Sequence, residues 1–532
     1  MPNIIITHAK AYTLNPQQPW AEAMVIEGNK IAYVGNNVGA LGYKTSQSRL
    51  IDAKGRSLLP GLIDSHFHLY MGSLRLEDMQ LSPVRKLTDL ARVIQDYKES
   101  FPNKLWLRGQ RLAYDITPGR RLNRFDLDAI ESDRPLALAS VDFHTLWCNT
   151  RALEMANILR GQKVKDGEIV MGADGLASGE LREYGAMNLI YKLIPPLNQE
   201  EKLSLICQGI QEVVSYGITS LHCMHGNMQH LSSFRELEAR GDFKLRAYLP
   251  YDVSPDTPLE ALEQEALALK QTYHSDKIRA GMIKVFVDGV LESFTSLMVE
   301  PYANKDSLGE ALFSDAHFKE VAVEADRLGL QIAVHAIGDG AVKRTLDGFA
   351  AARLQNGPRD SRHRIEHIEL LHPSDLHRFK ELGVIASMQP LHCTRPEVNH
   401  FEAWLEFIGK ERYAYGFPWQ DLREAGAKLV FGSDWPVVSM NPFLGFDAAL
   451  NRQPWAMWLK SQAQSLHDTL AAYTCDAAYG EFQENQKGQL KEGMWADVVL
   501  LSENIFAVSR CDIKDLEAHL TICDGEIVYE KV

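Results

Sequence analysis

The sequence contains few cysteines, and they are not arranged in pairs. Only seven of its 532 residues are cysteine, the number is odd, and no CxxC pair occurs. The seven are Cys148, Cys207, Cys223, Cys393, Cys475, Cys511 and Cys523. This scatter argues against a disulfide framework and indicates reduced thiols, so we expect a cytoplasmic protein.

Long apolar runs and long basic runs are also missing. No uninterrupted apolar stretch approaches the roughly 18 residues that a membrane-spanning helix needs. The first residues, MPNIIITHAKAYTLNP, lack a basic segment followed by an apolar core, and we interpret them as a short strand instead of a signal peptide. Because the formal net charge is −14, neither nucleic acid nor an anionic membrane is an expected partner.

The composition is that of a globular protein, with 45% hydrophobic and 24% charged residues. The chain is too long for one small core, and a large α/β domain with a smaller module fits its length better. Both ends of the chain carry short alternating apolar segments separated by turns such as Asp524-Gly525. We predict a small β-sandwich built from residues 1–58 and 485–532, the alternative being two separate small sheets.

Residues 59–484 alternate apolar strands with amphipathic helical segments, which is typical of βα repeats. The strand candidates are 62–68, 217–222, 244–251, 280–288, 328–336, 362–368, 383–389 and 427–434. Eight such units closing on themselves predict an α/β fold of the TIM (β/α)8 barrel type. Residues 75–215, between the first two strands, are far too long for an ordinary loop, and we interpret them as a lid or substrate subdomain.

The first barrel strand candidate ends in GLIDSHFHLY. Side chains alternate faces along a strand, so Asp64, His66 and His68 are expected on one face. Two imidazoles on one face can chelate a metal ion. An isolated HxH is more often two unrelated histidines that bond to the backbone, so other strands must decide.

Ligand-type side chains recur at the expected carboxyl ends of other strands, where TIM barrels carry their catalytic groups. They are Lys284 in strand 4, His335 in strand 5, His367 in strand 6 and Asp434 in strand 8. The intervals of 32 residues from His335 to His367 and 67 from His367 to Asp434 fit one and two βαβ units of about 30 residues. Together with the HxH pair, these residues predict a metal site.

These segments resemble the amidohydrolase superfamily. The resemblance rests on the HxH after PGLID, on IKVFVDGVLES, VHAIGDGA, RIEHIE and GSDWPV, and on the split β-rich ends, and it covers nearly the whole chain. More narrowly, the sequence resembles the amidohydrolase family 3 group that includes N-substituted formamide deformylases. It implies hydrolysis of a non-peptide C–N bond, of amide or formamide type, by metal-activated hydroxide.

The resemblance also implies a binuclear site. In it His66, His68 and Asp434 would hold the more buried metal, His335 and His367 would hold the second, and a carboxylated Lys284 would bridge both. The two divalent ions would be Zn, with Mn or Fe as alternatives. Asp434 would take the proton of the attacking hydroxide and pass it to the leaving amine.

Further polar or aromatic residues are candidates for substrate binding, and each has a structural alternative such as a hydrogen bond or a packing contact. They are His144 and Asn149 in the insert, His222 after strand 2, Glu292 after strand 4, Gln389 after strand 7, and Trp435 after Asp434. His392 lies on the same face without an assigned role. We expect His400 to be a surface or structural residue.

Two alternative functions remain open from the sequence. A related mononuclear class of deaminases lacks the strand-4 lysine and acts on amino-substituted rings, releasing ammonia. An inactive relative serving as a scaffold is a different class, but such relatives usually lose metal ligands, and here all six positions are filled. The expected partner is a small-molecule substrate, and the resemblance is compatible with a homodimer.

Overall fold

The computed structural model describes residues 3–141, 143–165, 167–394 and 401–531, with the backbone alone for 401–403. His400 lies outside the described residues. By its internal contacts the chain divides into two compact units. Among the described residues, one unit contains 3–73, 206–394 and 401–531, and the other contains 74–205.

Eight parallel strands of the first unit form one sheet in chain order, which is the arrangement of a TIM barrel. We number them as barrel strands 1 to 8. Their bounds are Leu62–Phe67, Ile218–Cys223, Arg246–Val253, Ile278–Phe286, Gln331–Ala336, Arg364–His367, Ile385–Met388 and Lys428–Phe431. Each coincides with a predicted strand, with ends that differ by a few residues.

The last barrel strand is joined to the first through the residues that follow it. The backbone N–H of Asp434 donates to the carbonyl of His66 at 2.7 Å, and the N–H of His68 donates to the carbonyl of Trp435 at 3.0 Å. A side chain at Gly432 would place its Cβ 2.4 Å from the nitrogen of His66, so this close approach requires glycine. Asp434 is thereby fixed beside the HxH pair by backbone contacts.

Helices follow most barrel strands. The helices of this unit are Asn37–Leu41, Leu69–Ser73, Met228–Arg240, Ala268–Thr272, Asp315–Arg327, Asp339–Asn356, Arg378–Leu382, Pro390–Thr394, Phe401–Ile408, Trp419–Glu424, Pro442–Asn451, Leu466–Ala472 and Cys475–Gly480, with shorter 3₁₀ turns between them. The helix Met228–Arg240 shows how capping residues determine where a helix begins and ends. The side chain of Asn227 accepts hydrogen bonds from backbone N–H groups of the first turn, and Gly241 ends the helix in a left-handed conformation at φ 78°.

Among the described residues, no helix combines the length and apolarity needed to cross a membrane.

Two further sheets are built from the β-rich ends of the chain. In spatial order, one contains Lys30–Gly35, Ala23–Glu27, Ile4–Thr7 and Arg49–Asp52, and the other contains Glu526–Glu530, Ala518–Cys523, Val498–Leu501, Ser57–Pro60, Lys10–Tyr12 and Trp20–Ala21. Leu59 pairs with Val499, so one sheet combines strands from both ends. Ile6 and Met24 of the first sheet and Leu520 of the second belong to one buried apolar cluster.

The second unit has a mixed sheet of its own. In spatial order its strands are Glu168–Met171, Ala177–Arg182, Thr145–Cys148, Leu136–Ser140, Leu107–Leu112 and Met79–Gln80. Its helices are Leu87–Ser100, Arg124–Asp128, Thr150–Met155 and Glu183–Tyr191, and Gln199–Ser215 leads back into the first unit. The helix Leu87–Ser100 buries Leu90 and Ile94, one turn apart.

Candidate metal centre

Barrel strand 1 and the loop after strand 8 bring His66, His68 and Asp434 together. Nε2 of His68 lies 2.9 Å from Oδ1 of Asp434, and Nε2 of His66 lies 3.3 Å from the same oxygen. All three side chains are buried. Two imidazole nitrogens and a carboxylate oxygen thus converge on one point, as the alternation along strand 1 predicts.

The orientation of His66 is set by a buried carboxylate on strand 6. Nδ1 of His66 lies 2.8 Å from Oε2 of Glu366, to which it can donate. Arg364 holds the same carboxylate through two nitrogens, at 2.5 and 3.1 Å. Burial would raise the pKa of Glu366, but the charges of Arg364 and His66 outweigh it and keep this pKa below its ordinary value. The Glu366 carboxylate therefore orients the ring so that Nε2 of His66 faces Asp434.

His367 lies where strand 6 ends and departs from strand geometry. Alternation places Arg364 and Glu366 on one face, and His367 would then point to the other. Its φ of 77° is in the left-handed region, which changes the direction of the chain at this residue. Its ring lies 4.8 Å from that of His66 and 4.5 Å from that of His335.

Lys284 is buried within strand 4. Among the described residues its Nζ has no hydrogen-bond partner, and it lies 4.7 Å from the centre of the Phe286 ring. Burial lowers the pKa of Lys284 to about 8, against the opposing charges of Glu366 and Asp434. An ammonium in this position loses its hydration, so the neutral amine becomes accessible near neutral pH.

Burial also keeps the neighbouring imidazoles neutral. It lowers the pKa of His68 to about 4 and that of His335 to about 3, and the charge of Lys284 adds to the effect on His335. Neutral imidazole is the form that binds metal ions. His335 already uses Nε2, which lies 3.2 Å from the carbonyl oxygen of Gly289.

Within the described chain, two groups of three residues could hold a metal ion. They are His66, His68 and Asp434, and His367, His392 and Asp434, with all ligand atoms of each group within 4.8 Å of one another. His335 belongs to neither group.

The residues present fit a divalent cation. Among the described residues, Nδ1 of His68, Nδ1 of His367, both nitrogens of His392 and Nζ of Lys284 are buried without a hydrogen-bond partner. Unpaired buried polar atoms are costly, and a concentration of them in one place requires an explanation. A nitrogen-rich donor set with one carboxylate is suited to Zn and similar ions.

Three of the residues expected to bind substrate are buried in the barrel unit. His222 is fully buried, with Nδ1 2.8 Å from Arg364 and Nε2 3.2 Å from Glu481, so it belongs to an internal ion-pair network. Gln389 is buried at the end of strand 7. Trp435 stacks on Phe67 with ring centres 5.1 Å apart.

The other three have different surroundings. Glu292 is half-buried in the short helix Leu291–Ser293. Nδ1 of His144 lies 3.0 Å from Glu183 in the second unit. Asn149 is fully buried, where its side chain accepts from Ala152 and Leu136 and donates two hydrogen bonds to backbone carbonyls. These four bonds leave Asn149 no hydrogen-bonding position for a substrate, so its role is structural.

The sequence did not point to a second polar pair beside His68. Nδ1 of His225, after strand 2, lies 3.1 Å from the carboxylate of Asp252 in strand 3. The His225 ring lies 5.2 Å from that of His68. Asp252 pairs in register with Lys284 near the carboxyl end of strand 3. That position in the sequence could have marked Asp252 as a candidate site residue.

Comparison with known proteins agrees with these features. The sequence pattern of the amidohydrolase family matches residues 49–529. The chain is 28% identical to Protein LONG AFTER FAR-RED 3 of Arabidopsis thaliana, over 94% of this chain and 87% of the relative. It is 24% identical to N-substituted formamide deformylase of Arthrobacter pascens, over 100% of this chain and 99% of the relative.

A solved structure of an uncharacterized metal-dependent hydrolase from Pyrococcus furiosus is 27% identical, with a TM-score of 0.74 over 94% of this chain and 98% of that chain. The likeness covers nearly the whole of both chains. Sequence pattern, relatives and architecture therefore agree, and the chain belongs to the amidohydrolase family.

Proposed function

We propose that this protein is a metal-dependent hydrolase of a non-peptide C–N bond, of amide or formamide type. It binds two divalent cations at the cluster around Asp434, and Zn is the ion that this nitrogen-rich set favours, with Mn or Fe as alternatives. The observation that carries the proposal is the convergence of His66 and His68 on Oδ1 of Asp434, all three buried. The name of the formamide deformylase relative supports the choice of bond.

A divalent cation in this cluster would lower the pKa of a water molecule from 15.7 toward about 7 and would polarise the substrate carbonyl. Burial would raise the pKa of Asp434, but His66 and His68 outweigh burial and hold it well below its ordinary value. The carboxylate is therefore ionised and can accept a proton from the attacking water. It then returns the proton to the nitrogen of the departing amine, so the products are a carboxylate and an amine.

Lys284 is proposed to be carboxylated and to bridge the two cations. Its buried Nζ and its pKa of about 8 support the proposal, because the neutral amine is the form that attacks carbon dioxide. The nitrogen forms a bond to the carbon, a proton leaves, and the product is an anionic oxygen ligand. Lys284→Ala should lose at least one metal equivalent and most activity, with partial rescue by acetate.

Lys270→Ala is the control for that variant. Lys270 is a half-buried lysine that donates to the carbonyl of Gly329, and its loss should leave metal content unchanged. Elemental analysis of both purified variants measures the difference. Two metals per chain and full activity in Lys284→Ala would disprove the bridge.

The organisation of the chain is part of the proposal. Residues 59–484 form the hydrolase barrel for a small-molecule substrate, and residues 75–215 are its insert subdomain. The support is positional, because the insert follows strand 1 at the carboxyl end, where TIM barrels carry their active sites. The ends of the chain, 1–58 and 485–532, form a β-sandwich, and we propose a cytoplasmic enzyme, with the homodimer as its assembly.

The activity test uses zinc-loaded full-length protein and three substrate sets: N-substituted formamides, N-acetylated amines and amino-substituted rings. The proposal predicts equal amounts of amine and carboxylate from at least one of the first two sets, and about 10²–10⁴-fold slower product formation with Asp434→Asn. Ammonia released from a ring, without cleavage of any amide, would instead identify a mononuclear deaminase and contradict the proposal.

A further inference from the structure

His225 and Asp252 form a half-buried polar pair at the carboxyl ends of barrel strands 2 and 3. Nδ1 of His225 lies 3.1 Å from Oδ2 of Asp252. The His225 ring meets that of His68 edge to face, with ring centres 5.2 Å apart. The pair thus lies next to the candidate metal centre, although neither residue belongs to its groups of converging ligands.

The imidazole of His225 is not needed to hold the loop on which it lies. The N–H of Gly226 donates to Oδ1 of Asp252 at 3.0 Å, and the N–H of Asp252 donates to the carbonyl of Gly226 at 3.1 Å. A side chain at position 226 would collide with the carbonyl oxygen of Pro250, so glycine is required against strand 3. One oxygen of Asp252 therefore fixes the backbone, which leaves the other oxygen for the ring.

The carboxylate determines which nitrogen of His225 carries the proton. The contact is electrostatic, since Nδ1 has no aligned hydrogen-bond partner among the described residues. A lone pair on Nδ1 would face the negative oxygen of Asp252 at 3.1 Å, so the neutral ring carries its N–H there and its lone pair on Nε2. Nδ1 is buried while 35% of the side chain is exposed, so the exposed part of the ring lies away from Nδ1.

An aromatic ring lies beside His225 on the side of strand 4. Phe286 is half-buried, and its ring centre is 6.1 Å from that of His225 and 4.9 Å from that of His335. A ligand next to Nε2 of His225 would therefore meet a hydrogen-bond acceptor and an apolar surface together. An amide with one substituent on nitrogen offers the matching groups, which are one N–H and one apolar chain.

We propose that His225 binds the substrate, and that its Nε2 accepts the N–H of the amide that is cleaved. Asp252 is the positioning residue that keeps this nitrogen an acceptor. The inference rests on the proposed function and deepens it, because it names the substrate class as amides with a single substituent on nitrogen. An N,N-disubstituted amide has no N–H to donate and places a carbon group against the acceptor, so the enzyme should discriminate against it.

The test compares two amides that differ only by that N–H. The first pair is N-butylformamide and N-butyl-N-methylformamide, followed by the same pair built on whichever amide the zinc-loaded wild type cleaves fastest. Wild type should favour the N–H amide in kcat/KM. His225→Phe keeps a ring against His68 but removes the acceptor, so the ratio of the two kcat/KM values should fall about 10-fold with unchanged zinc content.

His317→Phe is the matched control for that variant. It removes a half-buried imidazole in helix Asp315–Arg327, where the ring centre lies 5.3 Å from that of Phe313. The ratio of the two kcat/KM values should equal that of wild type.

Binding of an inert pair gives a readout that does not depend on turnover. N-butylmethanesulfonamide and its N-methyl derivative differ by the same N–H and contain no carbonyl carbon to attack. Calorimetry should show that His225→Phe binds the N–H compound about 10-fold more weakly than wild type and the N-methyl compound equally well.

Asp252→Asn guards against a folding defect in His225→Phe. Its amide keeps an oxygen for Gly226 and turns its NH2 group toward Nδ1, which makes Nε2 a donor, so the kcat/KM ratio and the affinity for the N–H sulfonamide should fall as in His225→Phe. Wild-type values of either quantity in a folded His225→Phe, or in Asp252→Asn where His225→Phe does not fold, would overturn the inference alone. A wild type that cleaves both amides equally well would also overturn it, whereas a wild type that cleaves no amide would overturn the proposed function as well.

Discussion

Two regions of the barrel interior use the same kinds of side chain with opposite results. The first, which we call the aspartate cluster, has one carboxylate facing several imidazoles. Its members are His66, His68, His367, His392 and Asp434. Several of its nitrogens are buried without a partner among the described residues. Burial keeps two of the imidazoles neutral, because it lowers the pKa of His68 to about 4 and that of His367 well below its ordinary value.

The second region, which we call the inner network, supplies its own cations. Its members are His222, Arg364, Glu366, Glu481 and Lys487. Nζ of Lys487 lies 2.6 Å from Glu481, Glu481 lies 3.2 Å from His222, His222 contacts Arg364 at 2.8 Å, and Arg364 holds Glu366. Each buried carboxylate has a permanent cation beside it, as buried charges require.

The difference teaches how to separate a functional polar cluster from a structural one. Histidines and carboxylates are present in both regions, so residue type alone does not decide. The balance of charge decides. A cluster of buried donor atoms that has no cation among its members binds a metal cation from solution. Glu366 joins the regions, since it contacts both His66 and Arg364.

The largest expected effect comes from removing the charge of the aspartate cluster. Asp434→Asn keeps the size of the side chain but removes the proton acceptor, which should lower kcat by about 10²–10⁴-fold, and further if a cation is lost. Rate and metal content are measured on the same preparation. A variant that keeps two metals and turns over within a factor of a few of wild type would exclude Asp434 from proton transfer.

Asp326→Asn is the matched control for that substitution. Asp326 is a buried aspartate bonded to His363 at 3.1 Å and to Arg359 at 2.5 Å, outside both regions. These contacts hold its pKa near 2 in spite of burial. The control should lower the melting temperature and leave turnover per folded molecule unchanged.

An intermediate effect is expected where the two regions meet. Glu366→Gln leaves Arg364 without its counter-charge and His66 without its ionised acceptor. The variant should bind metal about 10- to 100-fold more weakly, and it should lose about 3–5 kcal/mol of stability because a buried charge is unpaired. Metal titration and thermal melting measure the two losses separately. Loss of stability with unchanged metal affinity would confine Glu366 to the inner network.

The smallest effect concerns the pH dependence of the inner network. Burial would raise the pKa of Glu481, but Lys487 and His222 outweigh it and lower this pKa from 4.5 to about 2. A carboxyl group whose pKa is lower in the folded state stabilises the fold at any pH above its ordinary pKa. This contribution disappears as the pH falls from about 4.5 toward 2.

Glu481→Gln should therefore melt below wild type at pH 6, and the gap should narrow as the pH is lowered to 3. Thermal melting of both proteins across this range is the measurement. A gap that stays constant with pH would show that the ionised form of Glu481 does not carry the stabilisation.

Sequence periodicity was sufficient for the barrel and for part of the site. All eight barrel strands follow from apolar segments that alternate with amphipathic helical segments, because a parallel strand is buried on both faces. The alternation in GLIDSHFH likewise placed His66 and His68 together. These features are local, and a local pattern determines which face a side chain occupies.

What the sequence could not show depends on contacts between distant segments. The carboxylate behind His66 is Glu366, 300 residues away along the chain. His222 and Asn149 looked available for substrate, yet Nδ1 of His222 contacts Arg364 and the side-chain amide of Asn149 bonds to the backbone. His392 appeared as one more polar residue after strand 7, and only its position near Oδ2 of Asp434 distinguishes it.

The central claim is that the aspartate cluster binds metal because it has no cation of its own. The most direct measurement is zinc bound per chain in wild type, in His66→Ala/His68→Ala, and in His274→Ala/His377→Ala, which removes two exposed imidazoles instead. We predict tightly bound zinc in wild type and in the surface variant, and loss of at least one equivalent from the cluster variant. Equal zinc in all three proteins, or none in wild type, would contradict the account.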